Sequence, residues 1–128
     1  MRQQRSRNTK PELQLRRLLH TRGLRFRLHR AVVPGTRRTV DIVFGPSRIA
    51  VDVYGCYWHG HEHDVQQYGR TRTANLAYWG PKIEGNRLRD ADTSARLAST
   101  GWLHLVVWEC SDLVFEADEI ERLVRQAR

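Results

Sequence analysis

The chain predicts a single α/β domain with a mixed central sheet flanked by helices. Three observations predict it: leucines recur at helical spacing behind a capping sequence, strand-like stretches crowd residues 24–54, and a helical segment then precedes one more apolar run. The resulting order is α-β-β-β-α-β-α.

Taken in order, Thr9-Lys10-Pro11-Glu12 has the spacing of a capping box with proline in the first turn. Leu13, Leu15, Leu18 and Leu19 then recur near helical period. A helix over residues 10–22, stopped at Gly23, follows. Beyond it Leu24, Phe26 and Leu28 alternate with Arg25, Arg27 and His29, which predicts a half-exposed strand over 24–29 with a basic outer face. Pro34-Gly35 supplies a turn, and strands over 39–44 and 48–54 are joined at Gly45-Pro46-Ser47. Residues 82–99 form a helix whose less polar side carries Ile83, Leu88, Ala91, Ala95 and Leu97. Residues 102–108 suit a buried strand, and 118–126 a short closing helix.

A length of 128 residues with 40% hydrophobic side chains allows one core and no second domain. No run of eighteen apolar residues exists, which excludes a spanning helix. The basic amino terminus lacks the apolar stretch of a secretory signal, so a cytoplasmic location is expected. Net charge is +8 and is polarised: residues 1–40 carry twelve Arg/Lys against Glu12 alone, and the remainder carries ten against thirteen acids. Twenty of the 22 basic residues are arginine, whose planar fork suits phosphate. A nucleic-acid partner is the natural reading, with genomic arginine richness as its bland competitor.

Cys56, His61 and His63 lie within eight residues, and Cys110 follows the last strand. Two sulfurs and two imidazoles form the tetrahedral set of a closed structural zinc site, pinning the end of one strand to the end of another. The competing readings are a Cys56–Cys110 disulfide, disfavoured in a reducing compartment, or buried thiols with solvated histidines. His59 is surplus to the zinc and available for another task.

Asp41 and Asp52 each interrupt an otherwise apolar strand, where an unpaired acid is costly. Pairing of the two strands brings the carboxylates together, and a divalent cation such as Mg²⁺ relieves their repulsion. Ion pairing with neighbouring arginines is the alternative.

These residues carry a resemblance. RSRNTKPE at 5–12, the strand with Asp41, GCYWHGH at 55–61, YWGPKIEGNRLRD at 78–90 and VVWEC at 106–110 together resemble the very short patch repair endonucleases, bacterial enzymes that nick DNA beside a T:G mismatch. The resemblance spans nearly the whole chain in order, and it implies the restriction-endonuclease-like (PD-(D/E)xK-type) fold. By it, Asp41 is the metal-binding aspartate, His59 the catalytic histidine, Asp90 the acid that orients it, and Glu12 the first-helix glutamate near the metal and its waters. Cys56, His61, His63 and Cys110 fall on the zinc ligands, and Tyr57 and Trp58 on aromatics that wedge into the duplex. Met1 falls near a minor-groove methionine wedge.

The sequence departs from the family at two places. His63 stands where some relatives have cysteine, and Asp52 where an apolar residue is usual. Asp52-Val53-Tyr54 resembles the (D/E)-x-K strand of the wider nuclease superfamily with Tyr54 in place of lysine, so Asp52 and the Val53 carbonyl join Asp41 as expected Mg²⁺ ligands.

The expected activity is thus Mg²⁺-dependent nicking of mismatched double-stranded DNA by a bacterial, nucleoid-associated monomer, with repair proteins as further partners. Basic residues of the first forty positions, among them Arg5, Arg7 and Lys10, grip the phosphate backbone. One competitor is a nicking enzyme of a defence or mobile-element system without mismatch preference. Another is a non-catalytic, zinc-stabilised DNA-binding module, which gains nothing from burying acids beside phosphates.

Overall fold

Thr9 opens the first helix as its sequence predicts. Its side chain accepts the Glu12 N–H at 3.4 Å, proline occupies the first turn, and the helix α1 runs Lys10–Thr21 before Gly23 turns the chain at φ +77°. The structure, a computed structural model, describes residues 9–55 and 73–127, and for 73–83 the main chain alone. Strands β1 (Arg27–Arg30), β2 (Val40–Phe44) and β3 (Ile49–Tyr54) follow, then helix α2 (Thr73–Ser99), strand β4 (Leu103–Trp108) and helix α3 (Leu113–Gln126).

The sheet order is β1-β2-β3-β4, with antiparallel pairs except for β3 against β4, which run parallel. This is the mixed sheet the element order predicts. β2 and β3 lie at its centre and are buried at every position, as strands covered on both faces are. On one face Leu15 and Leu19 of α1 and Ala117, Ile120 and Val124 of α3 pack on Ile42, Phe44, Ile49, Val51 and Val53. On the other, Leu97 of α2 packs with Val33, Val40, Val43 and Ala50.

The connections explain themselves locally. Val33 to Thr36 closes a turn with Gly35 at φ +77°, where a Cβ would also stand 2.8 Å from the Arg96 guanidinium. The Gly45–Pro46–Ser47 turn ends on Arg48 at φ +55°, a conformation offset by its guanidinium bond to the Thr100 carbonyl and its own carbonyl bond from Leu103 N–H.

Four expectations need correction. The first strand covers Arg27–Arg30, not 24–29: Leu24 and Phe26 enter the core before pairing begins, and Leu28 is left 36% exposed. β4 is an edge strand with only Val107 buried, because nothing pairs beyond it among the described residues. The helix expected over 82–99 begins at Thr73 and continues through Gly80-Pro81. The last helix starts at Leu113, five residues early, because Asp112 caps it by accepting from the Val114 and Phe115 N–H groups. Among the described residues no helix is long and apolar enough to cross a membrane.

Candidate active site

α1 projects Glu12 from its first turn into the protein, where it is fully buried. Its Oε2 accepts from Arg16 one turn later at 2.9 Å and lies 2.9 Å from His29 Nε2. His29 reaches that position because its backbone adopts φ +50°, which breaks the alternation of β1 and turns the ring inward. The β1–β2 register sets Leu28 against Ile42 and Arg30 against Val40, so His29 stands opposite Asp41. His29 Nε2 and Asp41 Oδ1 are 4.0 Å apart.

Glu12, His29 and Asp41 are thereby one group whose ligand atoms all lie within 4.8 Å of one another. Octahedral ligands at about 2.1 Å from an ion stand roughly 3.0 Å apart when adjacent and 4.2 Å when opposite. The His29–Glu12 and His29–Asp41 separations, 2.9 and 4.0 Å, match those spacings. The donor set therefore fits a divalent cation.

The electrostatics agree with the geometry. Burial, followed by the nearby Asp52 carboxylate, pushes Asp41 up to about 8, with Glu12 adding to the rise and the Val53 N–H and Arg16 opposing it. Such a carboxyl holds its charge easily only beside a cation.

Asp52 is placed differently from Asp41. The described β2–β3 pairs end at Ile42–Val51, and there the carboxylates take over the backbone donors. Asp52 Oδ1 accepts the Asp41 N–H at 3.1 Å, and Asp41 Oδ2 accepts the Val53 N–H at 2.8 Å. Asp52 Oδ2 lies 2.9 Å from His104 Nε2 of β4. The acids are neighbours, as the strand pairing implies, but Asp41 looks toward α1 and Asp52 toward β4. Among the described residues their side-chain partners are histidines, His29 at 4.0 Å and His104 at 2.9 Å, not the arginines of the alternative reading.

Asp90, in α2, hydrogen-bonds the Tyr54 hydroxyl at the end of β3. Burial, with Asp52 and Asp90 beside it, raises the Tyr54 pKa, so the phenol stays protonated and donates to Asp90. Cys110 is exposed two residues past Trp108, which pairs with Tyr54. Lys10 is exposed at the start of α1. Met1, Arg5, Arg7, Cys56, Tyr57, Trp58, His59, His61 and His63 lie outside the described residues.

A family model described as DNA mismatch endonuclease Vsr matches residues 1–65. A type II nicking enzyme of Xanthomonas oryzae pv. oryzae, V.XorIIP, is 51% identical over 115 residues, covering 88% of this chain and 80% of the relative. The chain belongs to the Vsr endonuclease family. The Vsr DNA mismatch endonuclease of Escherichia coli K12 is 37% identical over 106 residues, 83% of this chain and 64% of that protein. A Neisseria meningitidis type II nicking enzyme, V.NmeAIP, is 31% identical over 125 residues, 96% of this chain and 85% of the relative. Restriction-endonuclease-like topology, expected from the sequence resemblance, agrees with the mixed α/β sheet of this Vsr-family chain.

In this Vsr-family chain the sequence marks Glu12 and Asp41 of the candidate group, whereas His29 beside them and the neighbouring His104 and Ser94 go unmarked. His29 sits on the polar side of an alternating run, and only the positive φ that the alternation does not encode turns it inward. The detectable signal was its hairpin register, since a strand ending near Arg30 brings His29 level with Asp41.

Proposed function

We propose that this chain hydrolyses one phosphodiester of double-stranded DNA beside a T:G mismatch, with a divalent ion, Mg²⁺ by expectation, held at Asp41. The buried Glu12–His29–Asp41 group carries the reading, because three ligating side chains converge where a lone carboxylate is costly. Bound there, the ion supplies Lewis acidity toward the phosphate and makes a water more acidic. Asp41 is a direct ligand; Glu12, fixed by Arg16, and His29 complete the protein side of the sphere or hold its waters. The Val53 carbonyl follows the N–H that already anchors Asp41 and is a further expected donor.

His59 is the proposed base or water-positioning group, and Asp90 its orienting acid. Asp90 is held by the Tyr54 hydroxyl one residue from Gly55, where the chain leads on to Cys56 and His59. A structural zinc on Cys56, His61, His63 and Cys110 is supported by the parallel register: Tyr54 pairs with Trp108, so positions 56 and 110 are each two residues beyond that pair. Tyr57 and Trp58 are the proposed wedges, which repay their cost mainly at a weakened base step. Arg25, Arg27 and Arg30 are exposed along or beside the edge strand β1 and, with Met1, Arg5, Arg7 and Lys10, form the proposed DNA contact.

A second reading is nicking without mismatch preference, since the name of V.XorIIP, 51% identical to this chain, speaks of nicking and not of mismatches. Labelled T:G and fully paired duplexes, incubated with Mg²⁺ and with each strand resolved separately, decide between them. Faster nicking of T:G duplexes, with the preference lost in a folded Trp58→Ala variant, supports mismatch repair. Equal rates on both duplexes support the second reading.

A further inference from the structure

On the far side of Asp41 from Glu12 runs a second buried polar chain. Ser94 Oγ of α2 lies 2.5 Å from His104 Nδ1, and His104 Nε2 lies 2.9 Å from Asp52 Oδ2. Asp52 Oδ1 then accepts the Asp41 main-chain N–H at 3.1 Å. The His104 and Asp52 side chains are only 4% and 10% exposed. Val43, Ala50 and Leu97 fill the same layer, with the Tyr54 hydroxyl and Asp90 at its polar end. Burying an imidazole and a carboxylate there costs stability that an aliphatic pair would not.

The bonding pattern says what the cost achieves. Both Asp52 oxygens accept, so His104 donates through its Nε2–H, and the Ser94 hydroxyl bonds the other ring nitrogen. The Asp41 N–H is thereby bonded by a side chain at the point where the described strand pairs stop, and the Asp41 carboxylate is returned to the Val53 N–H. Resting on the proposed metal-dependent nicking at Asp41, we infer that Asp52 is a positioning residue for Asp41 and not a metal ligand, tethered in turn by His104 and Ser94. Asp52 stands outside the Glu12–His29–Asp41 group, and each of its oxygens is already committed to one protein donor, which leaves a metal only the remaining lone pairs.

The test exploits what asparagine keeps. In Asp52→Asn the amide oxygen still accepts the Asp41 N–H. Its amino group donates to His104 Nε2 once the ring proton moves to Nδ1, with the Ser94 oxygen as acceptor. Nicking of a labelled T:G duplex is measured against Mg²⁺ concentration, with calorimetric Mg²⁺ binding in parallel. Asp52→Asn is expected to stay within about threefold of wild type in both maximal rate and half-saturating Mg²⁺. Asp52→Ala is expected to raise half-saturating Mg²⁺ by about tenfold or more while saturating Mg²⁺ restores most of the rate, as loss of an outer-shell support does. His104→Leu, which leaves Asp52 in place but untethered, is expected to shift half-saturation in the same direction and serves if Asp52→Ala does not fold.

Asp52→Asn as inactive as Asp52→Ala at every Mg²⁺ concentration would make Asp52 a ligand and overturn the inference. So would Asp52→Ala and His104→Leu that lose thermal stability while half-saturating Mg²⁺ stays unchanged. Wild type that binds Mg²⁺ without nicking would defeat the functional reading alone, and the calorimetric ranking of the variants would still decide the role of Asp52.

Discussion

Replacing Asp41 with asparagine should stabilise the protein while abolishing its nicking. The carboxyl is raised from 3.8 to about 8, chiefly by burial and then by the Asp52 charge. Between those values the native state holds a proton that the unfolded chain has released, so stability falls as pH rises through the window and levels off above about 8. At about 1.4 kcal/mol per tenfold change in the proton equilibrium, the ceiling of this cost is roughly 5 to 6 kcal/mol. Relaxation around coupled carboxylates brings the expected gain to about 2 to 3 kcal/mol at pH 8. In Asp41→Asn the new amide keeps an oxygen for the Val53 N–H and turns a donor toward Glu12 and His29. The corresponding rise in melting temperature is roughly 6 to 15 °C for a domain of this size. Thermal melts of both proteins from pH 4 to 9, in buffer without added divalent ions, measure it. The gap should open as pH rises and close near pH 4, and added Mg²⁺ should raise the wild-type midpoint alone. An Asp41→Asn variant that melts at or below wild type at pH 8, or a gap independent of pH, would refute the reasoning.

Three further outcomes test other parts of the molecule. Purified protein should hold close to one zinc per chain by elemental analysis, and Cys110→Ala should lose both the metal and thermal stability, since structural zinc binding is folding free energy. The triple change Arg25→Ala, Arg27→Ala, Arg30→Ala should weaken binding to paired and mismatched duplexes alike, and lower the slope of log affinity against log salt by up to about 3. Asp112→Ala should cost about 1 kcal/mol in urea denaturation by removing the cap of α3, with nicking at 25 °C unchanged.

What the sequence makes legible here depends on whether local chemistry decides the outcome. The start of α1 needs only Thr9, Pro11 and Glu12, and the stop only Gly23, so both stand where the sequence puts them. The central strands are legible because Val40–Phe44 and Ile49–Tyr54 are apolar apart from one acid each. β4 is as apolar as either, yet it lies at the edge, and no residue within it records which strand ends the sheet. Asp41 is visible as a costly acid in an apolar strand, and Glu12 only through the family resemblance. The partner that completes the group, His29, is hidden by a single backbone torsion, and Ser94 and His104 meet Asp52 only because α2 and β4 fold back on β3.

The parallel pairing of β3 with β4 also orders the folding of the chain. Ile42 meets Val51 nine residues on, and Leu28 meets Ile42 fourteen residues on, whereas Asp52 meets Val106 across 54. Closing the longest of these loops costs about 1.6 kcal/mol more chain entropy than closing the shortest. The β1–β2–β3 meander is therefore the natural nucleus, and β4 docks late. His29 and Asp41 both belong to that meander, so this pair of the candidate metal group assembles with the nucleus. The Asp52–His104 tether arrives only with β4, and mutations at Phe44 should slow folding while mutations at His104 mainly hasten unfolding.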